Sequence, residues 1–136
     1  MPTPSTRRRL TLAGAAAATI STGLVVHFAG TGTAAGFAAD ALYPVMVYCV
    51  LGLVLPRLGR VPLLLWAFGL SAAVELFQHT GVPAQLSAVS PAFRLLLGTT
   101  FNAPDLMAYA AGAAAAWGLD TALSAGTRTW RPSRSE

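Results

Sequence analysis

VPLLLWAFGLSAAVELFQH, running from Val61 to His79, is the stretch on which the fold turns. At 1.5 Å per helical residue it is about 30 Å long, the thickness of a bilayer's hydrocarbon core. It carries no ionisable group before Glu75, and Pro62 sits where a proline suits a first helical turn. The run therefore reads as a membrane-crossing helix with a polar patch near one end. Working outward, apolar runs of comparable length lie on both sides, over residues 10–30, 40–56 and 104–123. Pro56-Arg57-Leu58-Gly59-Arg60 closes the second run, and a Gly/Thr/Ala linker over 30–36 separates it from the first.

Composition agrees with this. Of the 136 residues, 54% are hydrophobic and 10% charged, against about 25% charged in an ordinary soluble domain. The net charge of +4 comes from arginine alone, in short clusters beside apolar runs, and there is no lysine. That placement fits membrane topology and excludes a phosphate-tracking nucleic-acid groove. An alanine-rich, arginine-only composition also points to a GC-rich bacterial genome. Cys49 is the sole cysteine, which excludes an internal disulfide and a thiolate metal cluster.

The expected fold is all-α, an integral membrane four-helix bundle with spans at about 10–30, 40–56, 61–79 and 104–123. Residues 1–9 form a basic, unstructured cytoplasmic N-terminus, 10–123 the membrane domain and 124–136 a basic cytoplasmic tail. With both termini inside, Arg7, Arg8, Arg9, Arg57, Arg60, Arg128, Arg131 and Arg134 are cytoplasmic, and only Arg94 is outside. A five-helix alternative would put the C-terminal arginines outside. Between the third and fourth spans, Thr80 to Ala103 is broken by Pro83 and Pro91. Its apolar run Ala92–Phe101 is too short to cross, which suits one re-entrant or interfacial helix. Thr6-Arg7-Arg8-Arg9-Leu10 has the look of a twin-arginine export signal, but the apolar run after it is longer than a signal core.

Small residues recur every fourth position as Gly14, Ala18, Thr22 and as Ala108, Gly112, Ala116, stripes that let helices approach closely in lipid. Trp66 and Trp117 fall near the cytoplasmic ends, where interfacial aromatics anchor. Ionisable groups inside spans are costly, so each is a functional candidate. Ser71, Glu75, Gln78 and His79 project within about 100° of one another on a helix. Asp105 and Tyr109 share a face with Gly112. With Asp40 and Tyr43, His27 and Arg94, these groups gather toward the outer side. The candidate polar pocket is Glu75, Gln78, Asp105, Tyr109, Arg94 and Asp40, with Arg94 pairing Glu75 or Asp105. The alternative is a purely structural network that clamps the re-entrant segment, and Asp105 after Pro104 also suits a helix N-terminus. A metal set of His27, Glu75, His79 and Asp105 has suitable ligand types but no recognisable motif, so neither a metal nor a cofactor is expected. No nucleophile elbow, zinc-protease signature or phosphate-binding glycine loop is present, and the reading leans away from an enzyme.

Ala39-Asp40-Ala41-Leu42-Tyr43, Glu75-Leu76-Phe77-Gln78, Leu97-Gly98-Thr99-Thr100-Phe101, Asp105 and Tyr109-Ala110-Ala111-Gly112 together resemble a family of small bacterial multi-spanning membrane proteins known only as a domain of unknown function. That family is distantly similar to the VanZ-like proteins, which share the order of a membrane Glu-x-x-Gln, a loop, an Asp at a helix start and a small-residue helix. The resemblance covers roughly residues 20–120. His27 stands where that family would have Arg, Ala39 where it would have Gly, and no loop arginine precedes the Leu-Gly segment except Arg94. The resemblance implies a multi-spanning protein of the bacterial cytoplasmic membrane with no assigned reaction. Three functions are expected in order: an envelope protein whose outward pocket takes a lipid or cell-wall headgroup, a small proton-coupled or solute transporter, and a structural subunit of a membrane complex. Partners would be membrane lipids, a lipid-linked or cell-wall headgroup, or a second copy of the chain, and not nucleic acid.

Overall fold

The computed structural model describes residues 3–98 and 100–126. Among these, the chain forms six helices and no strand: α1 Pro4–Ala29, α2 Gly32–Val54, α3 Arg60–Gln78, α4 Val82–Val89, α5 Pro91–Leu97 and α6 Asp105–Gly126. The C-terminal arginines Arg128, Arg131 and Arg134 lie outside the described residues. The windows Ser5–Ala29, Gly32–Val54 and Arg60–Gln78 are long and apolar enough to cross a membrane. Helix α6 matches them in length at 22 residues, but Asp105 and Asp120 set among alanine and glycine keep it out of that group.

Three boundaries differ from the sequence reading. The N-terminal arginines are helical, because Thr3 caps α1, accepting a hydrogen bond from the Thr6 amide at 3.2 Å, with Pro4 in the first turn. The linker over 30–36 shrinks to Gly30 and Thr31, and α2 starts eight residues earlier than the apolar run suggests. Finally, the segment between α3 and α6 holds two short helices instead of one. Pro83 and Pro91 each stand in a first turn, so the prolines that seemed to interrupt a helix begin two of them. Ser90 ends α4 and caps α5, its hydroxyl accepting from the Ala92 amide at 3.3 Å.

Helix α2 is the centre of the packing. It lies against α1, α6 and α3, while α3 also packs on α6, and the α4–α5 pair leans on α3. Antiparallel succession brings the start of α1, the end of α2, the start of α3 and the end of α6 to one end of the molecule. The apolar core fills that half: Tyr48, Leu63, Ala67 and Ala113 are fully buried, with Leu12, Ala16, Cys49 and Ala116 around them. The other half, between Asp40, Glu75 and Asp105, is not filled in this way.

Small residues decide how closely the helices meet. A Cβ on Gly112 would collide with the Ala41 carbonyl and crowd the Pro44 ring at 2.9 Å, so α6 seats directly on the α2 backbone. The stripe Ala108, Gly112, Ala116 is buried there as expected of close-packed helices. The stripe Gly14, Ala18, Thr22 is not: all three are exposed, and a Cβ on Gly14 would meet nothing within 4 Å. Helix α1 packs instead through Leu12, Ala16 and Thr19. In an alanine-rich helix several faces are equally small, and the bulk of Leu12 selects among them.

Outside, the molecule is apolar. Only 17–28% of each spanning window is covered by the rest of the chain. Phe28, Val25, Leu65, Trp66, Met107 and Leu119 all stand exposed. A water-facing surface does not carry contiguous apolar area on this scale.

Candidate functional site

The buried face of α3 carries Leu63, Ala67, Ser71, Glu75 and Gln78, one residue per turn. It begins in the apolar core and becomes polar toward the end of the helix. Ser71 satisfies itself, donating to the Ala67 carbonyl at 2.8 Å. The Glu75 side chain reaches beyond its own helix. It is 1% exposed, accepting from the Tyr109 hydroxyl at 2.8 Å and from the Asn102 amide at 2.6 Å. Those bonds to a carboxylate are strong, and they tie α3 to α6 and to the loop before it. One turn on, the Gln78 side-chain nitrogen donates to the Leu97 carbonyl at 2.6 Å. Gly98 then turns with φ 65°, and a Cβ there would lie 2.6 Å from that same nitrogen. Both the backbone angle and the space require glycine at this position. The loop returns to α6 through Asn102, which donates to Asp105 at 2.6 Å.

Beside this clamp lies a cavity of about 550 Å³, walled by α1, α2, α3, α5 and α6. Glu75, Gln78, Asp105, Tyr109, Arg94 and Asp40 all line it. The Asp40 carboxyl lies against that of Asp105 and within electrostatic range of Glu75. Tyr43 joins the lining, its ring centroid 6.3 Å from that of Tyr109. Two apolar flanks complete it, Ile20 and Leu24 from α1 and Leu95 and Leu96 from α5, all four also exposed on the outer surface. The cavity thus has a polar, acidic inner wall and an apolar rim continuous with the outside of the molecule.

Arg94 does not make the expected pair with Glu75 or Asp105. It is exposed on α5, and among the described residues both salt bridges within 4 Å involve Asp120 instead. The reason is that Tyr109 and Asn102 already hold the Glu75 oxygens. His27 lines the cavity from the exposed side of α1. His79 turns away, its ring 4.5 Å from that of Phe101. Among the described residues, no group of three or more His, Cys, Asp or Glu is arranged to hold a metal ion.

A second polar cluster, at the opposite end, was not expected. Asp120 is 8% exposed. It accepts from Arg8 at 2.7 Å, 3.1 Å and 3.3 Å and from the Tyr48 hydroxyl at 2.8 Å, with Arg60 Nε at 3.4 Å. It joins all four long helices. The signal that could have found it was available: Asp120 is an ionisable residue inside a spanning-length helix, seven positions after Ala113 on the packed face. The sequence by itself gives Arg8 and Arg60 only a topological role.

Fold and site together define an all-helical protein whose apolar helices are compatible with a membrane. The chain belongs to the family described as "Protein of unknown function (DUF2809)", whose profile matches residues 29–113, more than half its length. No curated protein and no solved structure matches it.

Proposed function

We propose that the chain is a four-helix integral protein of the bacterial cytoplasmic membrane, with α6 as its fourth span and both termini in the cytoplasm. Its cavity then opens in the outer leaflet and holds a lipid or cell-wall headgroup without catalysing a reaction on it. One observation carries this reading: the polar wall of Asp40, Glu75, Gln78 and Asp105 is entered through an apolar rim of α1 and α5 residues that face outward. Buried polar groups beside an apolar entrance suit an amphiphile that arrives from the bilayer. The arginine distribution and the distant VanZ-like order of motifs support the envelope location.

A transporter is less well supported, because the fully buried Tyr48, Leu63 and Ala67 fill the bundle between the cavity and the opposite end. A docking role for the small-residue face of α6 is disfavoured too, since Gly112 is used against α2. The test is native mass spectrometry of the protein extracted in mild detergent. The wild type is expected to retain a lipid-sized adduct, and Leu24→Trp with Leu95→Trp, which fill the entrance, to lose it. A wild type without adduct, or a filled variant that keeps it equally, overturns the proposal.

A further inference from the structure

Acceptors outnumber donors along the polar wall. The Gln78 amide oxygen is buried with no hydrogen-bond partner among the described residues, on a residue only 9% exposed that lines the cavity. Its orientation is fixed, because the amide nitrogen must be the end that donates to the Leu97 carbonyl. A buried acceptor left unpaired is costly, so its donor is to be sought in whatever fills the cavity. Asp40 and Asp105 stand against each other on the same wall, with Glu75 in electrostatic range. Three carboxyls and that amide oxygen give the wall a negative potential, while the Tyr109 hydroxyl and the Gln78 nitrogen already donate elsewhere. A phosphate group would meet repulsion there. Among the described residues, the one arginine in the lining is Arg94, which lies out on α5 and makes no ion pair with them.

Resting on the lipid reading above, we propose that the headgroup bound here carries a primary ammonium, seated among Asp40, Asp105 and the Gln78 amide oxygen. Its N–H donors satisfy the buried acceptors and its charge offsets the carboxyls. In an aminophospholipid the adjoining phosphate faces Arg94, and the chains leave between Leu24 of α1 and Leu95 of α5. The same geometry rejects an anionic headgroup at the inner wall and gains little from a quaternary ammonium, which keeps the charge but has no N–H to give.

The protein is to be reconstituted in nanodiscs containing equal phosphatidylethanolamine, phosphatidylcholine and phosphatidylglycerol, then released for native mass spectrometry. Retained phosphatidylethanolamine is expected about tenfold above each of the others, equivalent to about 1.4 kcal/mol of preference. Asp40→Asn should reduce the preference to about twofold. Asp40 is half-buried and outside the Glu75 clamp, and an unchanged unfolding midpoint confirms that this variant folds. Dodecylamine separates the ammonium from the phosphate: it should displace the lipid, and Arg94→Gln should weaken the lipid while leaving dodecylamine unaffected. Retention of lipid with no headgroup preference, a preference for phosphatidylglycerol, or a preference that survives Asp40→Asn overturns the ammonium assignment alone. Retention of no lipid at all overturns it together with the lipid reading. An Arg94→Gln variant with unaltered lipid retention removes Arg94 from the site.

Discussion

Asp120→Asn is the substitution from which the packing model has most to lose. The side chain of Asp120 is 6% exposed, while those of Arg8 and Arg60 are 21% and 30% exposed. Asparagine keeps the size of the side chain and an oxygen for the Tyr48 hydroxyl, but it removes the charge and turns the oxygen that accepts from Arg8 Nε into a donor. Breaking a buried ion pair by deleting one partner costs about 3–5 kcal/mol. Here the two orphaned guanidiniums are part-exposed and recover some solvation, which brings the expected loss down to about 2–3 kcal/mol. Arg8→Gln should cost less, about 1 kcal/mol, since Arg60 still faces the carboxylate. The assay is equilibrium unfolding in mixed detergent and dodecyl sulfate micelles, followed by intrinsic tryptophan fluorescence. An Asp120→Asn protein within about 1 kcal/mol of wild type would refute the idea that this cluster fastens four helices together, because exposed surface pairs are worth up to about that much.

Other outcomes follow from the same geometry. Gly112→Ala forces α6 away from the Ala41 carbonyl and should cost about 1–3 kcal/mol in the same unfolding assay, whereas Gly14→Ala, with open space around it, should cost nothing or stabilise slightly. Glu75→Gln weakens the bonds from Tyr109 and Asn102, so amide hydrogen exchange across residues 97–105 should accelerate while the Tyr48–Leu63 region stays protected; uniform exchange across both regions would count against a local clamp. Tyr109→Phe removes one donor from a buried carboxylate and should lower stability by about 1–3 kcal/mol, leaving a folded protein whose loop exchanges faster.

Much of the candidate site was legible because it lies within single helices. Glu75 and Gln78 fall on one face by the 3.6-residue period, and Asp105 and Tyr109 do the same on α6. Their meeting with Asp40 in one cavity could be anticipated only coarsely, from which end of each run they occupy. Arg94 shows the limit of that approach. Nearness in topology suggested a pair with Glu75, but a carboxylate has few positions for donors, and a backbone amide at Asn102 took one that the sequence does not advertise. The prolines misled for a related reason, since Pro83 and Pro91 break a helix from behind and start one from in front with the same ring.

By itself, the sequence determined that long apolar helices exist, read as four spans of which three prove long and apolar enough to cross a membrane, and that the acidic and amide groups of α3 share a face. These follow from local periodicity and from the cost of leaving backbone polar groups unpaired, which a helix meets within its own segment. Only the tertiary structure decided which small face of α1 is buried, which carboxylate is held by arginine, and which amide oxygen is left over. The Arg8–Asp120 contact joins residues 112 apart in the chain. Where many alanines offer equally small faces, it is the fit of whole helices that chooses among them.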